Sequence, residues 1–213
     1  MNAQNIPSIK KKLINAIYCN SILGLKNDKG QLAQILNVNQ QTIKDLGKLM
    51  EKEGLISKSY DTLSLTPKGR SKIKVVLTGG VFDIIHPGHI FMLKSAKKLG
   101  DFLIVVIATD KNTKRNKGRN PLNKENQRLE LVKSLKMVDL AIIGSEGKIM
   151  DIVLKIRPNI ITLGYDQKHN ESALLKESQL KGMSIKFVRL ETMMPNIKSS
   201  AIIKNNAHII EEF

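Results

Sequence analysis

The chain has a single cysteine, Cys19, no tryptophan and only 4% aromatic residues in its 213. One cysteine excludes a disulfide within the chain and a cysteine zinc cluster, as expected of a reducing cytoplasm. Cys19 lies in an apolar helical pattern and is expected as a small core side chain. No run of 18 apolar residues occurs, so no membrane-spanning helix and no membrane partner is expected. The start, MNAQNIPSIKKKL, lacks the continuous apolar stretch of a signal peptide. Acidic residues are also scarce: 19 Asp and Glu stand against 35 Lys and Arg, a net charge of +16.

That charge is unevenly spread. Residues 1–74 hold 13 Lys and Arg against 5 Asp and Glu, a net of +8 in a third of the chain. Residues 75–213 hold 22 against 14, the same net over almost twice the length. Dense positive charge on a small segment suits nucleic acid, and charge gathered at a pocket suits a phosphorylated substrate. A generally lysine-rich composition accounts for part of the excess.

The expected domains are residues 1–72 and 73–213. In the first, Ser8 can cap a helix with Ile9, Leu13, Ile14, Ile17 and Ile22 at helical spacing. A second helix spans Lys29 to Leu36; Val38 can plug the turn, and Asn39 can cap a third helix, Gln40 to Glu53. That helix is expected to bury Ile43, Leu46, Leu49 and Met50 and to expose Gln40, Gln41, Thr42 and Lys44. An alternating hairpin follows around Asp61, then Leu65-Thr66-Pro67-Lys68-Gly69-Arg70. This order resembles a winged helix-turn-helix domain. The resemblance implies that Gln40, Gln41, Thr42 and Lys44 enter a DNA major groove and that Lys58, Lys68 and Arg70 meet phosphates. A winged helix used for protein contact remains the alternative.

In the second segment, apolar runs at Ile73–Leu77, Phe102–Ala108, Leu140–Ile143, Ile160–Leu163 and Ile185–Arg189 alternate with helical patterns. Helices are expected at 88–99, 123–135, 149–156, 172–181 and from Ser200 onward. Such alternation predicts an α/β fold, a parallel sheet covered on both faces, with ligands at the carboxyl ends of the strands.

The unusual residues sit at those ends. Gly79 and Gly80 follow the first strand, then His86-Pro87-Gly88-His89 open a helix. Histidines three apart at a helix start can face one point, and the helix N-terminus adds N–H donors for an anion. No third ligand is close in sequence for a metal, so stabilisation of a transferring phosphoryl group fits better.

Gly80-Val81-Phe82-Asp83-Ile84-Ile85-His86-Pro87-Gly88-His89 resembles the signature of the cytidylyltransferase-like nucleotidyltransferases, whose domain is a Rossmann-like parallel sheet. Three further stretches resemble archaeal FAD synthases within that superfamily: Asp110 to Arg128 with its Lys114, Lys117, Gly118, Arg119 and Pro121; Leu163-Gly164-Tyr165-Asp166-Gln167; and Ser199-Ser200. Those enzymes transfer AMP from ATP to FMN, usually with Mg²⁺ or another divalent cation. The resemblance implies catalytic roles for His86, His89 and Lys117. It implies nucleotide contacts at Gly80, Val81, Phe82, Pro87, Gly88, Lys114, Arg128, Asp166, Met193, Ser199 and Ser200, and no protein metal ligand. The stretch holding Lys114, Lys117 and Arg119 is expected as a flexible basic loop that folds over phosphates. Val81 stands where many members carry threonine. A cytidylyltransferase acting on glycerol 3-phosphate or another alcohol phosphate, and a transcription regulator sensing a nucleotide or flavin, are the rival readings. The expected partners are ATP, FMN, DNA through the first domain and a second copy in a homodimer.

Overall fold

A computed structural model describes residues 6–164 and 171–190 of the chain. The chain divides into two units, Met1–Ile73 and Lys74–Phe213. No helix among the described residues is long and apolar enough to cross a membrane.

The first unit contains helices α1 (Ile6–Leu23), α2 (Lys29–Leu36) and α3 (Gln40–Lys52), the hairpin β1 (Ile56–Ser59) and β2 (Thr62–Leu65), and the short α4 (Pro67–Arg70). Asp28 caps α2 by accepting from Gln31 N at 2.8 Å, and Asn39 caps α3 by accepting from Thr42 N at 2.8 Å. Leu13, Ile17, Leu32, Ile43, Met50 and Leu63 form the buried interior. Two expectations need correction. Ser8 does not cap α1, because it lies inside the helix, which is described from Ile6. Leu49 is exposed, because the buried stripe of α3 is Ile43, Leu46, Gly47 and Met50, an i, i+3, i+4, i+7 pattern that excludes position 49. Gly69 lets α4 lie against the hairpin: a Cβ there would sit 1.9 Å from the Leu55 carbonyl oxygen.

The second unit alternates β3 (Val75–Gly80), α5 (Pro87–Lys97), β4 (Phe102–Ile107), α6 (Asp110–Lys117), α7 (Glu125–Lys133), β5 (Leu140–Ile143), α8 (Ile149–Ile156), β6 (Ile160–Gly164), α9 (Glu171–Leu180) and β7 (Lys186–Leu190). The strands form one sheet in the order β5-β4-β3-β6-β7, every neighbouring pair parallel. The interior strands β3, β4 and β6 are buried along most of their length, which explains their continuous apolar runs. Side chains alternate between faces. Val76, Leu103, Val105, Ile107 and Ile160 pack with Leu93 and Ala96 of α5 and Val132 of α7. Leu77, Val106 and Ile161, one residue out of phase, therefore belong to the other face.

The chain runs outward from β3 in both directions, with β4 on one side and β6 on the other, which makes the β3/β6 boundary the topological switch point. The β3–β4 register continues to Gly80 and Ile107, but the β3–β6 register stops at Leu77 and Ile161. Beyond it, Thr78 Oγ1 donates to the Thr162 carbonyl at 3.3 Å and Thr162 Oγ1 donates to the Leu77 carbonyl at 3.4 Å. Hydroxyls replace the ladder where the strands part.

Candidate active site

β3 delivers the chain into a turn that ordinary residues resist. Phe82 adopts φ +56° while only 1% exposed, an outlier for a bulky aromatic side chain. Its ring covers Gly80 so closely that a Cβ at Gly80 would lie 2.8 Å from the ring edge, which is why glycine is needed there. The same ring stands 5.1 Å from the His89 imidazole.

Such a conformation costs on the order of 1–3 kcal/mol and persists only when its surroundings over-determine it. Here they do so on both sides of Phe82. Arg128 Nη1 donates to the Val81 carbonyl at 2.6 Å. Asp83, 2% exposed, accepts from Asn123 N at 3.0 Å and from Arg119 Nη1 at 3.1 Å, while its carbonyl accepts from Asn123 Nδ2 at 2.7 Å. Arg128 is 0% exposed and also donates through Nε to the Asn123 carbonyl at 2.9 Å and through Nη2 to Asp110 Oδ1 at 2.8 Å. Its guanidinium ties the turn to the start of α6 and to the approach to α7. That is a positioning role. Arg119, expected over phosphates, instead pairs with Asp83. The only sequence signal for an Asp83, Arg119 and Asn123 clamp is membership of the two motif stretches, with no spacing to show that the stretches meet.

The turn feeds α5, whose N-cap is His86 with no side-chain capping bond and whose first residue is Pro87. The helical offset of three stacks the His86 and His89 rings, centroids 3.9 Å apart and 26° between planes. His86 Nδ1 is buried with no hydrogen-bond partner among the described residues. Burial holds the His86 pKa below the usual imidazole value, so its neutral form prevails at neutral pH. Gly88 is half-buried and Pro87 exposed. Two imidazoles and the first N–H groups of an uncapped helix suit an anion.

The expected flexible basic loop is a correction: residues Asp110–Lys117 form helix α6. Thr109 caps it, with Oγ1 accepting from Asn112 N at 3.1 Å, and Gly118 ends it in the left-handed conformation. Asp110 at its start and Lys114, Arg115 and Lys117 in its last turn complement the helix dipole. A carboxylate from α7 completes the first turn, Glu125 Oε2 accepting from Asp110 N at 2.6 Å. Lys114 and Lys117 are exposed on this helix. Asp166, Met193, Ser199 and Ser200 lie outside the described residues.

A cavity of about 340 Å³ opens beside the turn, with Gly79, Val81, Val106, Arg115, Ser145 and Ile161 among its walls. Among the described residues, no group of three or more His, Cys, Asp or Glu could hold a metal ion.

In the first unit, Gln40, Gln41 and Lys44 are exposed at the start of α3 and Thr42 is half-buried. Gln41 Nε2 donates to Asp45 at 2.9 Å. Lys68 Nζ donates to the Glu53 carbonyl at 2.9 Å, and Arg70 donates to the Ile73 carbonyl at 2.8 Å while lying 4.7 Å over the Tyr18 ring. Of the three expected phosphate contacts, these two have partners within their own unit; Lys58 is exposed on β1.

Comparison with known proteins agrees with the second unit's geometry. The chain is 47% identical over 129 residues to an FAD synthase of Thermoplasma volcanium, covering 61% of this chain and 90% of that protein. It is 44% identical over 147 residues to an FAD synthase of Thermococcus sibiricus, covering 68% and 97%. A crystal structure described as a lipopolysaccharide core biosynthesis protein from Thermoplasma volcanium matches at a TM-score of 0.54 and 48% identity, covering 56% of this chain and 98% of that one. The family model for cytidylyltransferase-like proteins matches residues 77–205, more than half of the chain. On that match, and on relatives covered almost end to end, this chain is a nucleotidyltransferase and belongs to the cytidylyltransferase-like family.

Proposed function

We propose that the chain is an FAD synthase, transferring AMP from ATP to FMN and releasing pyrophosphate. The observation that carries this reading is the near-complete coverage of FAD synthases from Thermoplasma volcanium and Thermococcus sibiricus at 47% and 44% identity.

The chemistry asked of the protein is modest. A phosphate oxygen of FMN forms a bond to the α-phosphorus of ATP as the bond to the β-phosphate bridge breaks, so the nucleophile is supplied by the substrate. The protein must hold the two phosphates in line and neutralise charge on the oxygens. His86 and His89, stacked at the uncapped start of α5, are assigned to that neutralisation. A neutral His86 donates a hydrogen bond and gains a proton more readily once an anion is beside it. Lys114 and Lys117 are assigned to the departing pyrophosphate, from a helix in place of a loop. Any divalent cation is taken to arrive on the triphosphate, as Mg²⁺ commonly does. Incubating the protein with FMN and each nucleoside triphosphate in turn tests the reading. FAD and pyrophosphate are expected with ATP; a cytidine-linked product from CTP and glycerol 3-phosphate, with no FAD, would overturn it.

For the first unit we propose DNA binding through the start of α3, supported by exposed Gln40, Gln41 and Lys44 on a capped helix followed by a hairpin. Selection of bound sequences from a random duplex pool, with and without FAD, checks this; equal retention of all sequences contradicts it.

A further inference from the structure

The cavity beside the turn is not used by the histidines. α5 packs on the face of the sheet that carries Val76, Leu103 and Ile107. The cavity is floored by Leu77, Val106 and Ile161, which are out of phase with those residues and so on the other face. Gly80 and Val81 of the turn line it too, so one short piece of backbone borders both regions. An in-line displacement needs the attacking and leaving oxygens on opposite sides of the phosphorus. With the triphosphate at α5, the acceptor has to come from the cavity side.

The walls have the composition of a ring pocket: an apolar floor and a few converging polar groups. Ile149 and Ile152 of α8 add apolar surface. The polar groups come from one helix face. Because residues 110–117 are helical, Asn112, Arg115 and Asn116, spaced i, i+3, i+4, share a face and line the cavity, whereas Lys114 and Lys117 do not. Asn112 Nδ2 donates to the Ser145 carbonyl at 2.9 Å, and its Oδ1 accepts from Arg115 Nη2 at 2.8 Å. The neighbouring Lys111 pairs with Glu146 at 2.6 Å. The loop after β5 thus sets Asn112, and Asn112 sets the guanidinium. The volume, about 340 Å³, lies at the small end of the roughly 300–1,000 Å³ of ligand pockets and suits one flat ring system.

We infer that this cavity takes the fused ring of the flavin acceptor, with Arg115 and Asn116 reading its polar edge and Asn112 acting as a positioning residue. The inference rests on the FMN reading. The pyrimidine edge of a flavin presents carbonyl, N–H and carbonyl in a row. A carboxamide offers one donor group and one acceptor to such an edge, and a guanidinium offers donors only, which suits a carbonyl. The dimethylbenzene end of the ring meets the apolar floor.

The test uses the full chain, with FMN binding followed by quenching of flavin fluorescence and KM measured separately for FMN and ATP. Riboflavin, which lacks the phosphate, serves as a competing ligand. Arg115→Ala is expected to weaken FMN and riboflavin in parallel, about tenfold to a hundredfold, the range for a lost charge-assisted hydrogen bond. KM for ATP should stay within about twofold, and Arg115→Lys should recover only part of the loss because it lacks the planar fork. Asn116→Leu should weaken both flavins as well. A rise in KM for ATP alone would place the adenine here, an effect on FMN without one on riboflavin would make Arg115 a phosphate contact, and unchanged flavin affinity would leave the cavity unused; each overturns the inference. Failure of the wild-type chain to make FAD would instead overturn the FMN reading on which it rests.

Discussion

α5 and α6 follow adjacent strands to the same edge of the sheet, yet their first turns are built in opposite ways. α6 is sealed: Thr109 caps it, Asp110 sits in its first turn, and Glu125 accepts from the Asp110 N–H. α5 has no acidic residue in its first turn and no side-chain cap, only Pro87 and two stacked imidazoles. A helix start left open and lined by histidines offers donors to an anion; one filled by a carboxylate does not. The difference matches the tasks proposed for them: α5 would act along its axis, at its N-terminus, and α6 through side chains on its flanks, Arg115 on one face and Lys114 and Lys117 on another.

The contrast can be broken at the residue that joins the two helices. Arg128→Met removes a cation from a fully buried position and strands the Val81 carbonyl, the Asn123 carbonyl and the Asp110 carboxylate. A loss of about 3–5 kcal/mol of stability is expected, read by urea unfolding, with FAD formation lost in parallel. A loss below about 1 kcal/mol would mean that the turn holds its shape without this knot. Gly80→Ala drives a methyl into the Phe82 ring and should cost about 1–3 kcal/mol. Its turnover should fall more than its stability, because Phe82 also borders His89. Thr109→Ala unseals α6 and should cost only about 1 kcal/mol, with turnover little changed.

The smallest effect concerns protonation. Burial lowers the His86 pKa, so nuclear magnetic resonance titration should place it below the ordinary value of about 6.5. The sign follows from linkage: the unfolded chain binds this proton first as pH falls. The associated stability is therefore present above about pH 6.5 and is lost as pH falls through the folded value. Adding pyrophosphate should raise the His86 pKa, since an anion favours the charged imidazole. No movement on adding pyrophosphate would count against an anion site at α5.

The sequence made α5 and its strand legible because they obey local rules: an apolar run, two glycines, then proline at the first helical position. α6 hid because D-K-N-T-K-R-N-K has no apolar periodicity, so nothing local distinguishes it from a solvated loop. Its stability comes from Glu125 and Arg128, 15 and 18 residues beyond Asp110. Reading the stretch as a loop also hid Arg115, because only a helix separates its face from that of Lys114 and Lys117. The positive φ of Phe82 was equally out of reach, since it is imposed by packing and by Arg128 from outside the motif. Leu49 misled for a simpler reason: an apolar residue one position off the stripe faces water.

The two helix starts can be set against each other directly: FAD formation by His89→Ala beside Thr109→Ala, both checked for folding by circular dichroism. A fall in kcat of about 10²–10³-fold is expected for His89→Ala, the range for losing one donor to a transition-state anion, and less than about threefold for Thr109→Ala. Full activity in His89→Ala, or equal losses in both, would contradict the assignment of the chemistry to the open end of α5.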